Sequence, residues 1–504
     1  MARNISTVYT VTGHLVAQTP IHIGGIDGGN PDSDMPLAVD GRGRYYIPGT
    51  SLAGALRQWT EAQLGASVVK SLWGFQESDE GVASLFTIED GIIVAAIPPE
   101  VRDGVGINKK TGTAQHRIKY DTTILPRGTE MDFRCSLASI NGQDGEDGTG
   151  ALRMLLEALQ HGSIRLGAQR TRGMGKVILK DCQVKCAVLD TRQGIIDHLE
   201  GRDKAVDINS LPAARGSGGH RIEVTIDWHP TEPLMVKSGT DGIAVDALPL
   251  VSAVDSSHVT LVMPGSSIKG VLSSRANLIV ATVTGHNPDD EVSKANTVLN
   301  LLFGTSRAEA SEKDEVKGMG MLAVDDCYAK VSIDRANWEE LATALNDETV
   351  RTVLERARLE DKLQEAYHVA IDRWTGGASD QKLFNQMEPR GLAWEPMVLS
   401  LDFSRIQYGS GQQATIEEQE QKQMAALLLL VLRDMSNGRL PFGFGTNRGM
   451  GSVAVDRIVL TPFGVSWMKE GAELDKGDIE ALPDALIKDL EQAWQSLIAN
   501  HGGA

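Results

Sequence analysis

Five short motifs occur twice in this chain, in the same order, and that repetition constrains its architecture more than any other feature. Ile47-Pro48-Gly49-Thr50-Ser51-Leu52-Ala53-Gly54 recurs as Met263-Pro264-Gly265-Ser266-Ser267-Ile268-Lys269-Gly270. Leu72-Trp73-Gly74 recurs as Leu302-Phe303-Gly304, and Val105 to Gly112 as Val369 to Gly376. Pro126-Arg127-Gly128 returns as Pro389-Arg390-Gly391, and Arg172-Gly173-Met174-Gly175 as Arg448-Gly449-Met450-Gly451. The offsets are 216, 230, 264, 263 and 276 residues, larger at the end than at the start because the second copy has longer insertions. One matched tetrapeptide arises by chance; five in register mark a duplicated domain. A chain of 504 residues is also too long for one ordinary core. We expect a first domain over 1–203, a linker over 204–219 ending in Pro212 to Gly219, and a second domain over 220–504.

Each copy opens with a strand pattern, Val8 to Val16 or Ile222, Val224 and Ile226, in which apolar positions alternate. The Pro-Gly-Thr/Ser-Ser motif then starts a helix, with the small hydroxyl residues suited to an N-cap. Strands and an irregular insertion follow. A second helix, Leu152 to Gln160 or Gln421 to Arg433, stops at Gly162 or Gly438. The last strand is Lys176 to Leu179 or Ser452 to Val455, and an amphipathic helix over 484–499 closes the chain. Strand, helix, strands, helix, strand is an α+β order of ferredoxin-like type.

Composition narrows the class. A hydrophobic share of 41% and a charged share of 23% fit a folded chain. The four cysteines include no Cys-x-x-Cys pair, and no histidine cluster adjoins them, which argues against zinc or a disulfide framework and for an intracellular, cytoplasmic protein. No apolar run reaches 18 residues, and Met424 to Leu432 reads as a buried helix, so no membrane partner is expected. A net charge of −18 opposes bulk nucleic-acid binding, but it is uneven: residues 1–200 hold 20 basic and 23 acidic side chains. Ser163 to Lys176 holds four cations and no acid. Any RNA contact must come from local loops. With aromatics at 5%, base stacking on a sheet face is not expected.

Four features carry candidate chemistry. In the glycine-arginine loops, Gly167, Arg170, Arg172, Gly173 and Gly175, with Gly445, Arg448, Gly449 and Gly451, allow backbone amides and guanidinium groups to meet a phosphate; the plainer reading is a tight turn. At the helix starts, Gly49, Thr50, Ser51, Gly265, Ser266 and Ser267 offer hydroxyls and free amides, with Arg57 and Lys269 as accessory cations; simple N-capping is the alternative. The insertions 102–124 and 368–388 form candidate thumbs, the first basic through Arg102, Lys109, Lys110, Arg117 and Lys119, the second through Arg373, with Arg127 and Arg390 at the return. Asp34 precedes Pro36, and Asp246 precedes Pro249 with one more residue between. An Asp beside Gly and Pro is commonly a turn former. His22 reads as a structural histidine at a strand end.

Asp34-Met35-Pro36 with Tyr46 to Arg57, the Leu-Phe/Trp-Gly box with Ala83 to Phe86, and Gly167 to Gly175 together resemble the RAMP superfamily of CRISPR systems, specifically the backbone subunits of type III effector complexes. Two copies in one polypeptide resemble the fused tandem proteins of type III-D-like complexes, and the likeness covers essentially the whole of each copy. The resemblance implies two modified ferredoxin-like (RRM-like) domains with β-hairpin thumbs. Further, it implies guide RNA (crRNA), target RNA and other type III subunits as partners, and cleavage of target RNA at Asp34 and Asp246 with a divalent metal, Mg or Mn. Three alternatives stay open: a non-catalytic scaffold, a metal-free nuclease that processes precursor guide RNA, and an unrelated nucleotide-binding protein.

Overall fold

A computed structural model describes residues 5–25, 34–77, 80–95, 97–107, 114–140, 145–214, 220–239, 242–285, 297–305, 319–404, 407–409, 412–414 and 416–501. The chain divides into two compact units. The first is Met1–Val101, Asp121–Arg170 and Met174–Gly219; the second is Arg102–Tyr120, Thr171–Gly173 and His220–Ala504.

In the first unit the strand Ile5–Ala17 lies at the centre of a sheet whose order is Lys204–Val206, Val177–Val188, Ile5–Ala17, Glu130–Ile140, Gly91–Ala95, Tyr46–Ile47. Its neighbours run antiparallel, with Val11 opposite both Val184 and Cys135. Gly49–Leu64 follows the first long strand and Gly145–Gln160 the third, so both helices lay an apolar face on the sheet. Leu52, Leu56, Leu152, Leu155 and Leu159 fill the space against Val11, Leu15, Phe133 and Leu179. Each such side chain contributes about 1.5–3 kcal/mol by leaving water. The expected linker proves shorter than 204–219. Lys204–Val206 pairs with Val177–Val188, and Leu211 is buried in the core. Apolar residues at 206 and 211 pull this stretch into the first fold, where Arg153 Nη1 donates to the carbonyls of Asn209 and Leu211.

The second unit repeats the plan with additions. Ile222, Val224, Ile226 and Trp228 alternate as buried positions of Arg221–Pro230. The sheet order is Arg172–Gly173, Leu322–Asp325, Met397–Asp402, Arg221–Pro230, Val453–Phe463, Ala472–Asp475. A register shift occurs in the first strand of both copies, between Thr12 and His14 and between Asp227 and Trp228, each against the last long strand. Gly265–Thr284 and Glu418–Ser436 cover the sheet. Met424, Leu427, Val431 and Leu432 are buried in Glu418–Ser436, as the apolar run there demands. The terminal helix, Asp484–His501, buries Leu490 and Leu497 against it and adds an ion pair from Lys422 to Asp489 at 3.0 Å.

Each insertion is a two-stranded sheet: Glu100–Ile107 with Ala114–Ile124, and Leu363–Ile371 with Ala378–Pro389. In the second, His368 stands opposite Phe384 and Tyr367 opposite Asn385. Asp372 turns it by accepting the N–H groups of Trp374 and Thr375, bonds that hold its carboxyl below the usual range. Trp374, at the tip, is 97% exposed. All four cysteines are free, and burial pushes the Cys182 thiol up to about 11. Among the described residues no helix is long and apolar enough to cross a membrane.

Candidate nucleic-acid interface

The glycine-arginine loops are built by one backbone plan. Gly175 donates its N–H to the Pro20 carbonyl and Leu166 donates to Gly175; Gly451 donates to Pro233 and Phe442 to Gly451. Ala168 donates to His22, and Phe444 to Met235. The glycines are required by conformation and by space. Gly175 and Gly451 have φ of 89° and 82°, and a Cβ there would stand 2.2 Å and 2.0 Å from the carbonyl oxygens of Leu166 and Phe442. Gly167 and Gly443 meet His22 and Met235 in the same way. The amides of Gly175 and Gly451 are therefore spent inside the protein, which corrects the expectation that they face a phosphate. Gly445 and Gly449 also have positive φ, and nothing lies within 4 Å of a Cβ built at Gly449. Gly173 differs: it and Arg172 form the short strand beside Leu322–Asp325, and its Cβ would meet Asp326. Arg172 and Arg448 are both exposed. Arg448 lies over Phe444 at 4.9 Å and over Phe384 at 5.5 Å, and Phe384 stacks on His368 at 5.4 Å. Sequence reading missed this grouping, because low aromatic content hides residues that only the hairpin brings together.

Asp34 and Asp246 occupy matching places at the base of the two hairpins. The Asp34 N–H donates to Asp121 Oδ1 at 2.6 Å, and the Asp121 N–H donates to Asp34 Oδ2 at 3.1 Å. In the second copy the Asp246 N–H donates to Asn385 Oδ1 at 2.8 Å, and the Asn385 N–H donates to Asp246 Oδ2 at 2.9 Å. The next residues pair in parallel, Met35 with Thr122 and Ala247 with Gln386. Both aspartates are exposed. Each site is also tied to its glycine loop. Gln169 Nε2 donates to Thr122 Oγ1 at 3.4 Å, whereas Met450 takes the Gln386 amide at 3.1 Å and packs with Ala247 and Met235. Asp246 thus corresponds to Asp34 despite the extra residue before its proline.

Nearby, Glu388 accepts from Arg390 at 2.8 Å, Gln386 at 2.8 Å and His368 at 3.2 Å. Burial pushes its carboxyl upward, but these bonds outweigh burial and hold it below the ordinary range. Arg390 is therefore already engaged. Among the described residues no three His, Cys, Asp or Glu side chains converge to hold a metal. One exposed aspartate per site does not make a preformed cage for Mg or Mn.

The helix starts hold their own anion. Pro48 and Pro264 are the N-cap residues, and neither helix has a side-chain cap, contrary to the expected role of the hydroxyls. Gly49 donates instead to Asp90 Oδ1 at 2.7 Å, and Gly265 to Asp326 Oδ1 at 2.8 Å. A carboxylate at the positive end of the helix dipole fills the place reserved for phosphate. Lys269 is buried and donates to the Leu322 carbonyl at 2.8 Å, so it is a core lysine and not an accessory cation. Arg102 is likewise buried, paired with Asp326 and donating to Ser252 at 3.2 Å. The missed signal was a further repeat, Thr87-Ile88-Glu89-Asp90 against Ala323-Val324-Asp325-Asp326.

Of the remaining candidates, Thr50, Ser266 and Arg373 are exposed, while Ser51, Ser267, Arg57 and Arg127 are half-buried. Arg170 donates to Gln58 at 3.0 Å, and burial with the nearby Arg165 lowers its pKa. Lys109, Lys110 and the side chain of Arg117 lie outside the described residues. His22 is buried with Nδ1 at 2.8 Å from the Thr123 carbonyl, a structural role.

The family model for the RAMP superfamily matches residues 14–178 and 230–454, one stretch in each copy of the repeat. No curated protein matches the chain.

Proposed function

We propose, because this chain belongs to the RAMP superfamily, that it is a backbone subunit of a type III CRISPR ribonucleoprotein, in a fused tandem form like those of type III-D systems. Membership itself points to a CRISPR-associated, RNA-binding role. Each copy is read as a modified ferredoxin-like domain, since its long strands lie in the order last, first, third, second with helices after the first and third. The hairpins are read as thumbs that splay a nucleotide of the bound duplex, and base pairing with the guide supplies sequence.

The cleavage residues in this reading are Asp34 and Asp246. The observation that carries it is the repeated clip. Each copy presents one exposed aspartate, fixed by two hydrogen bonds to the return strand of its hairpin and tied to its glycine loop. In this reading the carboxylate either takes the proton of a 2′-hydroxyl as the linkage bends open for in-line attack or helps to hold a divalent ion at the scissile phosphate. A divalent ion, Mg or Mn, would polarise the scissile phosphate when bound, with water and RNA oxygens as its other ligands. Arg448 is read as the phosphate contact of the second copy and Arg172 of the first, with Thr50, Ser266, Arg57, Arg127 and Arg373 as further contacts.

The test is single-turnover cleavage of labelled complementary RNA by the full chain loaded with guide. The double variant Asp34→Ala/Asp246→Ala should lose cleavage by about 10²-fold or more while binding target unchanged. Chelation by EDTA should abolish cleavage in the native chain. Cleavage that survives the double substitution would refute the assignment. Survival in EDTA would favour metal-free processing chemistry, and a native chain that binds but never cuts is a scaffold.

A further inference from the structure

The aspartate of each copy shares its clip with a second residue, and that residue differs between copies: Asp121 in the first, Asn385 in the second. We propose that Asp121 and Asn385 are positioning residues for RNA cleavage, acting through Asp34 and Asp246. This rests on the reading of those two aspartates as the cleavage residues.

The geometry assigns the role. An exposed aspartate on a turn samples several staggered χ1 wells. The backbone N–H of residue 121 or 385 binds Oδ2 and selects one of them. The side-chain oxygen of the same residue takes the aspartate's own N–H and fixes the backbone from which the carboxylate projects. Two bonds thus close one ring and leave Oδ1 of Asp34 and of Asp246 without a partner among the described residues.

The difference in residue type separates positioning from chemistry. An Asn side chain carries no charge and is no base, so a catalytic role common to both copies cannot belong to this position. What Asp and Asn share is an acceptor oxygen at one distance from the backbone. Asn385 is 6% exposed, and its amide donates to the Ala244 carbonyl at 2.7 Å and to Glu365 at 2.6 Å, so the loop that carries Asp246 is tied down from both sides. Removing the acceptor should cost rate, since a shift of about 1 Å at a reacting group lowers rates on the order of 10²-fold.

The experiment uses the full chain loaded with guide RNA and a saturating labelled complementary target, with each cleavage product followed separately. Asp246→Ala defines the product made by the second site, and Asp34→Ala that of the first. Asn385→Ala should slow the second-site product by about 10-fold or more, leave the first-site product at its native rate and leave target binding unchanged. Asp121→Ala should do the converse, and Asp121→Asn, which keeps the acceptor, should recover the first-site rate. If Asp246→Ala abolishes a product that Asn385→Ala leaves at full rate, the positioning role is overturned and the cleavage assignment stands. Loss of cleavage in Asp121→Asn equal to that in Asp121→Ala would overturn it at the first site, because the charge would then be what matters. Should neither Asp34→Ala nor Asp246→Ala remove a product, the cleavage reading fails and takes the positioning role with it.

Discussion

At the scale of single residues, the glycines of the two loops separate into structural and open positions. Gly451 sits at φ 82° with the Phe442 carbonyl 2.0 Å from where a Cβ would stand, and its own N–H goes to Pro233. Gly449 shares the φ of 82° but has free space around it. Gly449→Ala should therefore cost only the left-handed strain, about 1 kcal/mol. Gly451→Ala adds a backbone clash and should cost at least about 2 kcal/mol more; urea unfolding of the two variants checks the order. Equal losses would mean that the loop relaxes around a Cβ. Sequence motifs made these glycines look alike, since the string Arg-Gly-Met-Gly does not say which amide points inward. Only the backbone contacts at Pro20 and Pro233 decide that.

At the scale of elements, the helix starts show why a motif legible in sequence was misassigned. Pro-Gly-Thr/Ser-Ser does begin a helix in each copy, as its spacing predicts. Its first amide, however, is met by a carboxylate between two strands far along the chain, 41 residues away for Asp90 and 61 for Asp326. Such long-range partners leave no local trace. Asp90 is exposed and its loss should cost about 0.5–2 kcal/mol, as for a lost cap. Asp326 is buried and also pairs with Arg102, so Asp326→Ala removes the carboxylate beside a buried cation and should cost more, about 3–5 kcal/mol. Thermal unfolding of Asp90→Ala and Asp326→Ala reads the difference, and similar losses would show that Arg102 finds water once its partner is gone. The clip at Asp34 and Asp246 was half legible for the same reason. The aspartates stood out beside proline, but Asp121 and Asn385 differ in type and fall outside every matched motif.

At the scale of the whole chain, duplication explains most of what sequence could reveal. Five ordered repeats fix two copies, and each copy has its own sheet, its own pair of covering helices and its own hairpin. Boundaries were less legible, because Lys204 to Leu211 looks polar yet supplies an edge strand and a buried leucine. The net charge of −18 sets a further requirement, since no bulk field draws RNA to this chain. In the proposed reading, binding rests on exposed arginines such as Arg172 and Arg448 and on the other subunits of the complex. If both copies carry a cleavage site, the native chain loaded with guide makes two cuts in one complementary RNA. Mapping product ends at nucleotide resolution for the native chain, Asp34→Ala and Asp246→Ala should show two cuts, then one, then the other one. A single variant that loses both cuts, or two variants that each keep both, would contradict one cleavage site per copy.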